Sequence, residues 1–116
     1  MDHVYLYKRV NTMAWLILIL AGIFEVAFTT SLKMANNFTN IKWSIAFFIS
    51  ISLSFYLLNQ AIKTIPMGTA YAVWTGIGAA GTVIVGIFLF QEPANWLRIG
   101  FLMLLIGSII GLKVVS

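Results

Sequence analysis

The sequence predicts an all-α membrane protein with four transmembrane helices. Of its 116 residues, 61% are apolar and only 9% are charged, against roughly 45–50% and about 25% in soluble domains. A soluble domain of this length buries only part of its surface and could not shelter so many apolar side chains. The apolar residues also fall into four blocks, each close to the roughly 20 residues that cross a 30 Å hydrocarbon core. These observations together place the chain in lipid.

The four blocks are residues 14–32, 43–62, 68–90 and 96–112. Backbone polar groups have no water to bond within lipid, so a spanning segment must be a helix or part of a closed barrel. The blocks are uniformly apolar and lack the alternating pattern of barrel strands. The blocks therefore predict helices.

The first block follows an N-terminal extension, residues 1–12, so that the transmembrane domain is residues 13–116. The extension is interpreted as an interfacial segment, as disordered chain, or as the result of a misread start codon with Met13 as the true initiator. The connections that follow the first block are short, and Pro66 and Pro93 suit the edges of helices. Short turns make consecutive helices antiparallel neighbours. No loop is long enough for a soluble domain, so any chemistry must take place within the bundle.

Lys and Arg are almost equally divided between the two ends of the predicted bundle, four against three. A chain with one orientation normally shows an excess on the cytoplasmic side. Small numbers are one explanation, and dual topology with an antiparallel homodimer is the other. The four are Lys8, Arg9, Lys63 and Lys113, and the three are Lys33, Lys42 and Arg98.

Glu25 is the leading candidate for function, since it lies just past the middle of the first block. A carboxylate at that depth is expensive, and such residues usually line a pathway, relay protons or pair with a cation. No Lys, Arg or His lies in the middle of the later blocks: Arg98 is close to the start of the fourth, and Lys63 and Lys113 lie just beyond the ends of the second and fourth. Glu25 is therefore predicted to bind a proton or an organic cation, but not both together. Such competition is enough to couple the movement of protons to the movement of the organic cation.

Other candidate residues are placed by helical spacing. Gly22, Phe28 and Thr29 share the face of Glu25, Tyr71 and Trp74 form a stripe on the third helix, and Ser54 on the second could reach the acid. Trp74 could hold a cation on its indole face, although Tyr71 also fits an interfacial belt and Ser54 also fits helix packing.

Glycines are dense in the third and fourth blocks. Gly76, Gly78 and Gly81 either let a neighbouring helix approach or provide a hinge. Gly107 and Gly111 have a small-xxx-small spacing, which predicts that the fourth helix mediates dimerisation. The first three helices would then form the substrate chamber.

Several function classes are disfavoured. The chain has no cysteine, which removes disulfides and thiolate metal sites, and no metal site or cofactor is predicted. No nucleophile–base pair is evident, so an enzyme is not expected. Basic residues occur singly rather than in a patch, so nucleic acid is not a predicted partner.

The residues from Met13 onward resemble the small multidrug resistance family of bacterial exporters. The most specific segment is residues 66–79, PMGTAYAVWTGIGA, and Glu25 and the segment SFYLL from Ser54 also match. The resemblance implies a proton-coupled antiporter in the bacterial inner membrane that exports guanidinium-type or quaternary ammonium cations. It further implies that two copies of Glu25 bind protons or substrate in an antiparallel dimer.

The resemblance also assigns roles to individual residues. Tyr71, Trp74 and Ser54 would line the site, Gly76 and Gly78 would mark a bend in the third helix, and Gly100 with Gly107 would pack the dimer. The third-helix segment is most similar to the guanidinium-exporter branch. That branch usually has Trp three residues after the acid, and the multidrug branch usually has Gly, but this chain has Phe28.

Three alternatives stay open at this point. The partner could be a related chain in a heterodimer rather than a second copy. The protein could be a non-transporting assembly or sensor protein that uses Glu25 as a structural hydrogen-bonding group. It could also be a passive cation channel, although one acid per chain is few for a pore.

Overall fold

The structure, a computed structural model, describes residues 2–115, with side chains described from residue 11. It consists of four α helices: α1 (Asp2–Met34), α2 (Ile41–Ala61), α3 (Met67–Leu89) and α4 (Trp96–Val115). Each is long and apolar enough to cross a membrane. The prediction of four transmembrane helices is confirmed.

Helix α1 is longer than predicted, because it begins at Asp2 and runs unbroken for 33 residues. At 1.5 Å per residue it is about 50 Å long, which exceeds the hydrocarbon core. Residues 2–12 contain no Gly or Pro that would end a helix. The backbone of the predicted extension therefore continues α1, and the side chains of its first ten residues lie outside the described part.

The helix starts are fixed by local caps. The Asn40 side chain accepts a hydrogen bond from the Trp43 N–H at 3.3 Å, and the Asn95 side chain accepts one from the Arg98 N–H at 2.9 Å. Both are N-cap contacts of the kind that Asn commonly makes. Pro66 occupies the residue before α3, where a missing N–H matters little. These caps confirm that the short polar connections end one helix and begin the next.

Three of the helices, α1, α2 and α3, pack together, and α4 lies at one side of them. Among the described residues, α1 packs against α2 and α3, α2 makes a few contacts with α3, and α4 packs mainly against α3. The Cα extents are 54 × 36 × 19 Å. The core lies between α1, α2 and α3, around Leu18 and Val73, whereas α4 has no buried residue. One protomer therefore leaves most of α4 uncovered.

Candidate functional site

Glu25 lies at the seam between α1 and α3, directly opposite Gly78. A Cβ atom built on Gly78 would overlap the Glu25 carboxylate, so only glycine at this position leaves space for the acid. The Oε2 atom of Glu25 is buried and has no hydrogen-bond partner among the described residues. Buried polar atoms normally have a partner. The structure therefore contains an unsatisfied carboxylate oxygen in the apolar middle of a transmembrane helix.

The cationic side chains with described contacts engage groups other than Glu25. Each lies at an end of the bundle, where a basic side chain can reach the interface. Lys33 lies over the Phe90 ring and Lys113 over the Trp15 ring, while Lys63 donates to Gln60 and Arg98 pairs with Glu92. Within the part of the chain that the structure describes, no salt bridge involves Glu25. The acid is thus available to a mobile cation or a proton.

Glycines bring α1 and α3 into close contact along the whole seam. A Cβ atom on Gly22 would lie 2.6 Å from a methyl carbon of Ile77, and one on Gly81 would overlap Val26. Both gaps are far below an ordinary carbon–carbon contact. Gly81 therefore packs closely against α1 in this conformation, and Gly22 makes a similar contact from the side of α1.

Gly76 lies against α4 instead, since its Cβ atom would lie 2.8 Å from Cδ1 of Ile109. Helix α3 is continuous from Met67 to Leu89. The close contacts of Gly76 and Gly78 account for both glycines in this conformation, and the bend implied by resemblance stays a prediction.

Ser54 and Trp74 join the three chamber helices through one chain of hydrogen bonds. Trp74 Nε1–H donates to Ser54 Oγ at 2.9 Å, and Ser54 Oγ–H donates to the Ala21 carbonyl at 2.7 Å. Both side chains are buried. The Ala21 carbonyl is also the α-helical partner of the Glu25 N–H, four residues later. Ser54 therefore positions the helical turn that carries the acid and, in this conformation, does not bond the carboxylate.

Aromatic rings form a continuous row beside this hydrogen-bond chain. Tyr71 lies 5.9 Å from Trp74, Trp74 lies 5.3 Å from Phe55, and Phe55 stacks on Phe28 at 6.5 Å between centroids. These separations are typical of favourable aromatic pairs. Tyr71 is 56% exposed, so the outer end of the row is open. The row offers ring faces on which a cation can lie.

Thr29 lies one turn beyond Glu25, where its hydroxyl donates to the Glu25 backbone carbonyl at 2.9 Å. This local bond leaves the hydroxyl oxygen as an acceptor. Gly100 and Gly107 lie on α4, and nothing within 4 Å would meet a Cβ atom on either residue. Their predicted role at a dimer interface stays a prediction.

The structure brings together most of the predicted site residues. Gly78 contacts Glu25, Ser54 contacts Trp74, and Tyr71 and Phe28 belong to one aromatic row. Among the described residues there is no group of three His, Cys, Asp or Glu side chains that could hold a metal ion.

Sequence reasoning missed two parts of the site. Phe55 links the two halves of the aromatic row, and its place one residue after Ser54 in a recognisable segment could have indicated this. Glu92 and Arg98 form an ion pair beyond the end of α3. Their separation of six residues across a proline turn gave no helical signal, so only the structure reveals that pair.

Comparison with known proteins supports the resemblance to the small multidrug resistance family. The family model described as "Small Multidrug Resistance protein" matches residues 13–105. A "Guanidinium exporter" of Yersinia pseudotuberculosis is 48% identical over 104 residues, which cover 90% of this chain and all of that protein. The "Guanidinium exporter" of Escherichia coli K12 is 46% identical over 101 residues, 87% of this chain and 96% of that protein.

A third relative, the "Probable guanidinium efflux system subunit GdnD" of Bacillus licheniformis, is 44% identical over 104 residues, with 90% of this chain and all of that protein covered. These matches confirm the predicted resemblance and the multi-pass location in the bacterial inner membrane. The family model spans most of the chain, and the relatives align over nearly their full length. The chain belongs to the small multidrug resistance family.

Proposed function

We propose that this protein exports small organic cations, with guanidinium as the leading substrate, in exchange for protons. One observation carries the proposal: the Oε2 atom of Glu25 is buried without a partner, opposite a glycine that leaves room for the carboxylate. An ionised carboxylate in this position gains strongly from a cation, and a protonated one has no charge to offer. A cation and a proton therefore compete for one group.

The substrate class rests on the relatives and on the chemical groups that the site presents. Three relatives carry guanidinium in their names. A guanidinium is planar, binds carboxylates through two parallel hydrogen bonds and stacks on aromatic faces. Glu25 supplies the carboxylate, and the row from Tyr71 to Phe28 supplies aromatic faces close to the same helices. Quaternary ammonium compounds have no N–H to donate and would rely on the aromatic faces alone.

A dimer completes the proposed transporter. Four helices enclose little space, and α4 has no buried residue. Two antiparallel copies that meet along α4 would cover Gly100 and Gly107 and would bring two Glu25 side chains toward one chamber. The nearly even division of Lys and Arg is expected for a chain that inserts in both orientations. Because one relative is named a subunit, a pair with a related chain is the alternative that the experiments must test.

The structural alternative, in which Glu25 only staples helices together, has less support. A staple works by making a hydrogen bond, and Glu25 Oε2 makes none with the described residues. If Glu25 were only a staple, removal of its charge should have little effect on transport and should mainly alter stability.

Transport by purified protein in liposomes tests the proposal. Guanidinium and a quaternary ammonium compound are each offered with an outward or inward proton gradient, and internal pH is recorded. The wild type is expected to move protons when guanidinium is added, and Glu25→Gln is expected to move none. Ser52→Ala is the matched control, because Ser52 is exposed on α2 and its hydroxyl donates to the Phe48 carbonyl of its own helix. Substrate-driven proton movement in Glu25→Gln would exclude the exchange mechanism.

A further inference from the structure

A small cavity continues the α1/α3 seam beyond Glu25, toward the end of the bundle that carries the α3–α4 loop. Thr29 lies one turn beyond Glu25 on α1, and Thr82 lies one turn beyond Gly78 on α3. The cavity has a volume of about 70 Å³. Its polar and aromatic lining consists of Thr29, Thr30, Lys33, Thr82, Phe90 and Glu92. It therefore lies between the buried acid and the surface.

Two cationic side chains of the protein already bind the walls of this cavity. The Arg98 guanidinium places Nη2 2.5 Å from Glu92 Oε1 and donates from Nη1 to the Pro93 carbonyl at 2.9 Å. The Lys33 Nζ atom lies 4.5 Å from the centroid of the Phe90 ring. A carboxylate and an aromatic face are the two groups that recognise a guanidinium in proteins. In this structure Arg98 pairs with the Glu92 carboxylate and Lys33 lies over the Phe90 ring, so cations of the protein itself occupy both groups.

The dipoles of α3 and α4 do not favour the positions of Glu92 and Arg98. Glu92 follows the C-terminal end of α3, and Arg98 lies in the first turn of α4, so each is at the helix end that disfavours its sign. The backbone nevertheless holds the carboxylate in place, because the Glu92 N–H donates to the Gly86 carbonyl at 3.0 Å. A Cβ atom on Gly86 would lie 2.6 Å from the Glu92 carboxyl carbon. Gly86 thus leaves room for Glu92 as Gly78 does for Glu25.

We propose that this cavity is a second cation subsite, where Glu92 and Phe90 receive a guanidinium-type cation on its way to or from Glu25. Arg98 and Lys33 occupy the subsite when no free cation is bound there. A free cation must displace them, so it binds more weakly here than at Glu25 and is readily passed on. The inference rests on the proposed function, because it assumes that a small cation crosses this seam.

Binding of guanidinium chloride to the purified full-length protein, measured by titration calorimetry, tests the subsite directly. All variants carry Glu25→Gln, which removes the central carboxylate. Adding Arg98→Gln should strengthen residual guanidinium binding about fivefold, the upper value for release of an exposed ion pair. Arg98→Lys keeps the tethered charge and should give no gain. Adding Glu92→Gln to the Arg98→Gln variant should abolish the gain.

Arg98→Gln could change binding by loosening the α3–α4 loop, and a second variant controls for that effect. Lys33→Gln frees the Phe90 ring and leaves the Glu92–Arg98 pair intact, and it should also strengthen residual binding. Lys113→Gln is its matched control, because Lys113 makes the same kind of contact with Trp15 at the opposite end of the bundle. If neither Arg98→Gln nor Lys33→Gln strengthens binding, or if the gain survives Glu92→Gln, the subsite is excluded.

Transport separates failure of the subsite from failure of the proposed function. If the wild type moves no guanidinium in liposomes, the proposed function is wrong and the subsite with it. If the wild type transports guanidinium, Glu92→Gln should raise the apparent KM and leave the proton coupling of each turnover unchanged. An unchanged KM in Glu92→Gln would overturn the subsite while the central site stands.

Discussion

Gly78→Ala is expected to disable the central site by pushing the carboxylate of Glu25 out of its position. The added Cβ atom would lie 2.7 Å from Cγ of Glu25, with the carboxylate atoms still closer. An ordinary contact is about 3.5–4.0 Å, so the side chain must move by roughly 1 Å. Forcing an extra methyl group into a packed site typically costs about 1–3 kcal/mol. Because the carboxylate can return to its binding position only against this cost, we expect guanidinium affinity to fall by roughly tenfold to a hundredfold.

Two matched variants separate loss of the site from loss of packing. Gly81→Ala lies on the same seam and meets only Val26, and Gly68→Ala meets nothing within 4 Å. Gly81→Ala should lower the melting temperature about as much as Gly78→Ala but retain most of the guanidinium affinity. Gly68→Ala should change neither. Calorimetric titration with guanidinium and thermal unfolding in the same detergent measure both quantities.

The reasoning is refuted if Gly78→Ala binds guanidinium as tightly as the wild type. It is also refuted if Gly81→Ala loses as much affinity as Gly78→Ala, because the effect would then follow from helix separation and not from the carboxylate.

Three further predictions follow from other contacts. Ser54→Ala removes the bond to the Ala21 carbonyl and leaves Trp74 Nε1 unpaired, so it should destabilise the protein by about 1–3 kcal/mol. Thermal unfolding measures this loss, and the exposed Ser52→Ala should show none. Equal stability of Ser54→Ala and the wild type would show that the chain of hydrogen bonds does not stabilise the fold. Phe28→Gly removes a ring that contacts both Phe55 and Phe47 and should improve transport of quaternary ammonium compounds relative to guanidinium in liposomes. An unchanged ratio would mean that Phe28 does not select substrate. Two lysines added near the C-terminus should fix the chain in one orientation and reduce transport activity. Co-expression of a variant fixed in the opposite orientation should restore that activity. Full activity of the first variant alone would exclude the antiparallel dimer.

The sequence was sufficient to predict the four helices because lipid imposes a strong pattern. Long apolar blocks must be helical, and each break between them contains polar residues or proline. The hydropathy pattern did not indicate where α1 begins. Residues 2–12 are too polar to extend an apolar block, yet they contain no helix breaker, so the helix continues to Asp2.

The candidate site was only partly predictable. Depth in the membrane singles out Glu25, and helical spacing places Tyr71 and Trp74 on one stripe. Neither argument says which helix a side chain faces, so the bond from Ser54 to the Ala21 carbonyl and the contact of Gly78 with Glu25 needed the structure. The cavity near Glu92 depends on a loop conformation, with Gln91 at φ 55°, that spacing cannot reveal.

The central claim is that a proton and a cation compete for the Glu25 carboxyl group, and guanidinium binding as a function of pH tests it most directly. Only the ionised carboxylate attracts a cation, so affinity should rise with pH while Glu25 titrates and then level off. Below that titration one proton is exchanged per cation, which gives about a tenfold change per pH unit, or about 1.4 kcal/mol. The measurement is a calorimetric titration of the wild type from about pH 5 to about pH 9, with Glu25→Gln as the control that should show no slope. A flat profile for the wild type would show that guanidinium binds elsewhere and would contradict the account.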